Sequence, residues 1–111
     1  ESAMPEEQGY SALTEGVYYI LLALHSPLHG YGIMQLVKEM TGGRVILAPG
    51  TLYGALNSLL ERGWISAVDH SGDKTRKEYC ITEQGKQILN QEIKRLEELL
   101  HNGQRILGGV N

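Results

Sequence analysis

Ala48-Pro49-Gly50-Thr51-Leu52-Tyr53-Gly54-Ala55-Leu56-Asn57-Ser58-Leu59-Leu60-Glu61-Arg62-Gly63-Trp64-Ile65 decides the fold, because it reads as a short helix running straight into a strand. Pro49 suits a first helical position, where its missing N–H costs nothing and its fixed φ is already helical. Gly63 suits the left-handed residue that closes a helix. Between them Leu52, Leu56, Leu59 and Leu60 form one apolar stripe, while Thr51, Tyr53, Gly54, Asn57 and Ser58 give the other side small or hydrogen-bonding groups and no charge. A helix with a buried back and an uncharged polar front is suited to probing a groove.

Working outward, Leu13, Val17, Ile20, Leu21 and Leu24 recur at helical spacing, which predicts a buried first helix from Thr14 to Leu24 capped by Ser11 or Thr14. Ser26-Pro27-Leu28-His29-Gly30 stops it. A second helix is expected from about Gly30 to Met40, with Ile33, Leu36, Val37 and Met40 facing inward and Gly42-Gly43 at its end. Arg44 to Leu47 is β-prone and suits a small edge strand. Beyond the third helix, Trp64 to His70 and Lys77 to Thr82 read as two strands around Ser71-Gly72-Asp73-Lys74-Thr75-Arg76, a loop of turn formers and positive charge. In the register expected for that hairpin, Cys80 opposes Ala67 and is a small buried hydrophobe rather than a nucleophile. Three helices followed by a hairpin with a basic tip is the winged-helix order. The second and third helices would form a helix-turn-helix with a strand in the turn.

Thr82 is placed to cap a last helix reaching about Leu107, in which Leu89, Ile93, Leu96 and Leu100 follow one another at heptad-like spacing and Leu107 continues the series. Ile88 and Leu99 widen the stripe, and Glu92, Lys94, Arg95, Glu97 and Glu98 are expected on a solvated or cross-dimer charged edge. A helix at this end of the chain has few neighbours left to cover so much apolar surface, so a second copy is the expected partner. The fold class expected is mainly α with a small β-hairpin wing: a winged helix-turn-helix DNA-binding domain over 11–82 and a C-terminal dimerisation helix over 83–107.

The 111 residues are one domain's worth, with 41% hydrophobic residues to fill a core. The single Cys80 excludes an internal disulfide. No charged-then-apolar leader or long apolar span is seen, so a soluble cytoplasmic protein without a membrane partner is expected, and Glu1-Ser2-Ala3 ahead of Met4 reads as an artificial extension. The net charge of −3 argues against a general polycation, but its distribution matters more than its sum. Glu1, Glu6, Glu7 and Glu15 account for the excess. Between His29 and Tyr79, Lys38, Arg44, Arg62, Lys74, Arg76 and Lys77 balance Glu39, Glu61, Asp69, Asp73 and Glu78, with the positive charge gathered near residues 74–77.

Pro49-Gly50-Thr51-Leu52-Tyr53, then Leu56 and Leu59, then Glu61-Arg62-Gly63-Trp64-Ile65, and later Tyr79-Cys80-Ile81-Thr82-Glu83-Gln84-Gly85-Lys86, resemble the PadR family of winged helix-turn-helix transcription regulators. The resemblance runs from about Leu13 to the end of the chain. It implies that Tyr53 and Thr51 contact backbone phosphates, that first and last helices pack together across a dimer, and that the protein is a repressor of the short type. It also implies release from DNA by a small hydrophobic or phenolic effector. In the short multidrug-responsive branch of that family an aromatic residue of the last helix stacks on planar drugs, whereas the last helix here has no Phe, Trp or Tyr. Two departures stand out: Ala48 where many members have a capping serine, and Gly54 where many have proline. Glycine there loosens the helix by about 1 kcal/mol relative to alanine.

DNA binding needs phosphate contacts that position and base contacts that read. Lys74, Arg76 and Lys77 on the hairpin are the expected phosphate-holding cations. The first-turn N–H groups of Gly50 and Thr51 are donors without helical partners, at the end of a helix whose dipole favours an anion. Thr51 and Tyr53 add hydroxyls. Asn57 is able to pair bidentately with adenine in the major groove, and Ser58 is a weaker reader. Pairing through Leu89, Ile93, Leu96, Leu100 and Leu107 would set two reading helices about 34 Å apart on a pseudo-palindromic double-stranded operator. An effector pocket would draw on Val17, Tyr18, Ile93 and Leu96, residues that serve equally well as plain core. His25 and His29 share an i,i+4 interval, but Pro27 breaks the helix that would bring them together, so no metal, cofactor or catalytic function is expected. The rival reading is a winged-helix module for protein–protein contact without DNA, motivated by the acidic total charge and the uncharged third helix.

Overall fold

The computed structural model describes residues 12–69 and 77–108. Thr14 opens the first helix: its Oγ1 accepts the N–H of Val17 at 3.2 Å, and α1 follows over Glu15–Ala23. Ser11, the other cap considered, lies outside the described residues. His29 caps α2, Gly30–Met40, with its Nδ1 accepting the N–H of Gly32 at 3.3 Å. Helix α3 spans Pro49–Arg62, begins at Ala48 without a side-chain cap, and ends on Gly63 at φ 76°. Strands β1, Ile65–Asp69, and β2, Lys77–Ile81, form an antiparallel pair, and α4 runs from Glu83 to Leu107 behind a Thr82 cap. The fold is thus mainly helical with one small hairpin.

Ile20, Leu21 and Leu24 of the first segment meet Ile33 and Val37 of α2 and Leu52, Leu56 and Leu59 of α3 in one buried cluster. Ile65, Tyr79 and Ile81 close it from the hairpin, and Leu89 from α4. The positions on α1, α2, α3 and α4 follow from helical periodicity. Met40 does not join them, being 41% exposed at the end of α2 rather than inward as its spacing suggested.

Two expectations about β structure are corrected. Arg44 to Leu47 forms no strand. Thr41 folds that segment instead: its Oγ1 accepts the Val45 N–H at 3.0 Å and donates to the Val37 carbonyl at 3.0 Å. The free edge of β2 is taken by Leu28, whose N–H and carbonyl pair with Tyr79 at 3.0 and 2.8 Å. The second correction concerns register. Cys80 faces Ser66 and Ala67 faces Tyr79, one residue away from the expected pairing. Matching Ile65 with Ile81 puts both isoleucines and Tyr79 on the core side, and a one-residue slip would turn all three outward. Cys80 is consequently half-buried rather than a core residue.

Candidate nucleic-acid interface

Because its leucines face the core, α3 presents Gly50, Thr51, Tyr53, Gly54, Asn57 and Ser58 to solvent. Gly50 and Gly54 have nothing within 4 Å of where a Cβ would stand, so backbone lies at the surface there. The first turn holds no acidic residue, leaving the donors after Ala48 unopposed by negative charge on their own turn. Ala48 makes no side-chain hydrogen bond, as its side chain dictates.

The two flanks of this face differ. Tyr53 leans toward α2: its hydroxyl lies over Gly30, while the residue remains 44% exposed. Tyr79 lies close by, and its phenol is pushed above its ordinary value by burial first and by Tyr53 second. On the opposite flank, Ser58 and Arg62 border a cavity of about 550 Å3. Its apolar wall comes from Leu13, Val17, Ala55, Trp64 and Ile88, and Gln84 adds an amide. The Arg62 guanidinium carbon sits 5.0 Å from the centre of the Trp64 ring. Ser58 thus stands on the cavity rim as well as on the exposed face.

Of the expected wing cations, Lys74 and Arg76 lie outside the described residues. Lys77 is half-buried in β2, opposite Asp69. Val17 lines the cavity, but Tyr18, Ile93 and Leu96, grouped with it as pocket residues, do not. Tyr18 instead meets Tyr19 edge-on at 5.7 Å.

Along α4 the expected pairing residues separate. Leu89 is buried within the protomer and Ile93 half-buried, whereas Leu96, Leu100 and Leu107 are 38%, 60% and 80% exposed. Leu99 and Ile106 extend the same uncovered surface. Glu92 departs from the solvated edge foreseen for it: it is only 5% exposed. Its carboxylate receives two hydrogen bonds from Arg95, at 2.8 and 2.6 Å, and one from the Leu13 N–H at 3.3 Å. These bonds, led by the Arg95 guanidinium, hold its acid constant below the ordinary value. The signal available beforehand was position: 92 follows 85 and 89 on the inward side of α4, with Arg95 one turn on.

An exposed helix at the second position of a helix pair, followed at once by an antiparallel hairpin, defines a winged helix-turn-helix protein. The transcriptional regulator PadR-like family model matches residues 17–91, and the chain belongs to that family. It is 33% identical over 81 residues to an uncharacterized 37.1 kDa protein in transposon TN4556 of Streptomyces fradiae, covering 72% of this chain and 22% of that protein. It is 32% identical over 69 residues to the transcriptional regulator YqjI of Escherichia coli (strain K12), covering 62% of this chain and 32% of the relative. The chain therefore spans no more than 32% of either curated relative. A PadR family transcriptional regulator from Eggerthella lenta DSM 2243 has the same fold, with a TM-score of 0.69 at 22% identity over 95% of this chain and 86% of that one. No helix among the described residues is long and apolar enough to cross a membrane.

Proposed function

We propose that this chain binds double-stranded DNA as a homodimer and represses transcription, with α3 in the major groove and the wing on phosphates, until a small hydrophobic effector releases it. The single observation that carries the reading is the division of labour between two exposed surfaces. One is the uncharged, hydrogen-bonding front of α3 with open backbone at Gly50 and Gly54. The other is the apolar tail of α4, where Leu96, Leu99, Leu100, Ile106 and Leu107 are uncovered. An exposed patch of large side chains at a chain's own heptad spacing favours a second copy as its cover. In this reading residues 11–82 engage DNA and 83–107 couple the protomers.

Gly50, Thr51 and Tyr53 then hold phosphates through first-turn N–H groups and hydroxyls, and Asn57 reads a base edge. Lys74, Arg76 and Lys77 supply the wing's cations. Selection of bound fragments from random DNA tests the whole arrangement at once. The expected result is two inverted half-sites with centres one helical turn apart. A well-folded dimer that recovers no sequence at low salt would favour the rival, a module for protein–protein contact, which the acidic net charge of −3 supports.

A further inference from the structure

Gly103 has no task within the protomer. Unlike Gly30 and Gly85, it has no neighbour within 4 Å of where a Cβ would stand, and unlike Gly63 and Gly108 it is not at positive φ. It lies inside α4, where glycine is a local cost relative to alanine. Its place is the middle of the uncovered apolar surface: Leu96, Leu99 and Ile106 stand on the same side of the helix before and after it, and all three are exposed.

The two edges of that seam differ. Ile93, Leu100 and Leu107 recur at heptad spacing and make one edge wholly apolar. Arg95 and Asn102 make the other polar. Arg95 is already committed to Glu92 of its own helix through hydrogen bonds at 2.8 and 2.6 Å, and the Asn102 Oδ1 accepts from Arg105 at 3.2 Å.

We propose that two copies of α4 pair antiparallel about a two-fold axis level with His101, with Gly103 of each copy the socket for Leu99 of the other. The proposal rests on the homodimer reading above. Orientation follows from the edges. In a parallel pair unlike edges meet, so Leu100 and Leu107 would face Arg95 and Asn102 of the second copy. In an antiparallel pair like edges meet: Leu100 lies against Leu100, Ile93 against Leu107, and polar against polar. Only the antiparallel pair covers the exposed leucines without setting them against a guanidinium.

Register follows from the socket. Seating Leu99 on Gly103 sets Leu96 on Ile106 at the same time, because residue 101 is the midpoint of both pairs. A slide of one heptad toward the base of α4 would set Gly103 and Ile106 against Glu92 and Leu89, which are already buried in the protomer. The opposite slide carries Leu96 and Leu99 past Leu107, where the facing helix ends. A leucine seated on bare helical backbone brings the two axes close, so the seam fits a second copy of this chain and rejects a helix with a side chain at the socket.

Two measurements separate orientation from the existence of the dimer. With Cys80→Ser in every chain, Leu99→Cys and Gly103→Cys proteins are oxidised singly and as a mixture. Disulfide-linked dimers are expected in the mixture, where the two thiols oppose each other. Each protein alone should stay unlinked, since like positions are offset along the axis by about 6 Å, beyond the reach of a disulfide. Linkage of each protein to itself, without linkage between the two, would mean parallel helices and overturn the proposal. In sedimentation equilibrium, Gly103→Leu fills the socket and should raise the dimer dissociation constant roughly tenfold or more, and adding Leu99→Ala should recover most of that loss. Helix content by circular dichroism should not fall in either variant, because both positions are open in the protomer. A Gly103→Leu dimer as tight as the parent or tighter overturns the socket, since leucine facing leucine in a parallel pair would strengthen it. A parent that sediments as one subunit ends the homodimer reading and this pairing together. A parent dimer whose thiols join only like to like leaves that reading standing and removes the pairing alone.

Discussion

The hydroxyl of Tyr53 occupies the space that any side chain at Gly30 would need: a Cβ there would stand 2.2 Å from the Tyr53 Oη. Helix α3 and the first turn of α2 are thereby fitted to each other through one tyrosine. The tyrosine is held on α2 without being hidden, since 44% of it remains exposed. That combination leaves it both packed on α2 and open to solvent.

Gly30→Ala should therefore act on DNA binding more than on folding. The obstructing atoms are the far end of a side chain that can swing outward, so the stability cost is expected to stay near about 1 kcal/mol. Displacing the hydroxyl should weaken operator binding roughly tenfold, the scale of one phosphate contact. Thermal unfolding and anisotropy titration read the two effects separately. Equal affinity in the variant would exclude Tyr53 from the interface.

Gly85→Ala should do the reverse. Here the new Cβ would lie 2.1 Å from the backbone oxygen of Trp64 and 2.8 Å from Ile81 Cγ1, so helix and strand must move apart. Alanine gains about 1 kcal/mol of helix propensity over glycine, yet the overpacking should exceed it and leave a net loss of about 2 kcal/mol. Urea unfolding decides the matter. A more stable variant would mean that α4 does not start against Trp64.

Glu92→Gln should flatten the acid side of the stability profile. The native acid constant of Glu92 lies below its ordinary 4.5, so its contribution is complete above that value and disappears as pH falls through the lower native one. The variant keeps an acceptor for the Leu13 N–H but loses the ion pair with Arg95, whose side chain is 32% exposed. A loss of about 1–2 kcal/mol at neutral pH is expected after allowing for that exposure. Some acid dependence should remain, because Glu15, paired with Arg44, also has a lowered acid constant. Identical pH profiles for the two proteins would show that Glu92 titrates as an ordinary surface carboxylate.

Leu96→Asp combined with Leu100→Asp should yield a folded monomer. Both residues are exposed in the protomer, at 38% and 60%, so charge there costs little within one chain. In a two-copy interface it buries unpaired carboxylates. Sedimentation equilibrium is expected to give one subunit for the variant and two for the parent. A parent that sediments as one subunit removes the proposed dimer.

Lys74→Ala with Arg76→Ala should weaken binding to all DNA sequences alike and reduce the salt slope by about two, one for each phosphate that the wing no longer neutralises. Anisotropy titrations over a range of salt concentrations measure it. A slope unchanged from the parent would take the wing out of the phosphate-holding set.

Local chemistry made much of this legible from the chain alone. Pro49 and Gly63 bracket α3, Thr14 and Thr82 cap α1 and α4, and leucines at helical spacing name the side of α3 that turns inward. Each of these signals acts within one or two turns, so no knowledge of distant residues is required. The family resemblance, carried by Pro49 to Tyr53 and Tyr79 to Lys86, was readable for the same reason. What the chain could not disclose depended on which segments meet. Leu28 rather than Arg44–Leu47 completes the hairpin, because hydrogen bonding along a strand edge goes to whichever segment the core delivers there. Cys80 faces Ser66 because Ile65, Ile81 and Tyr79 must share the core side. Glu92 is buried because Arg95 and the Leu13 N–H compensate it, and a cavity opens beside Ser58 because residues far apart in sequence, Val17, Trp64 and Ile88, converge without filling the space. Short-range order is written in neighbouring residues, whereas register, burial of charge and cavities are set only when the packed elements compete for the same volume.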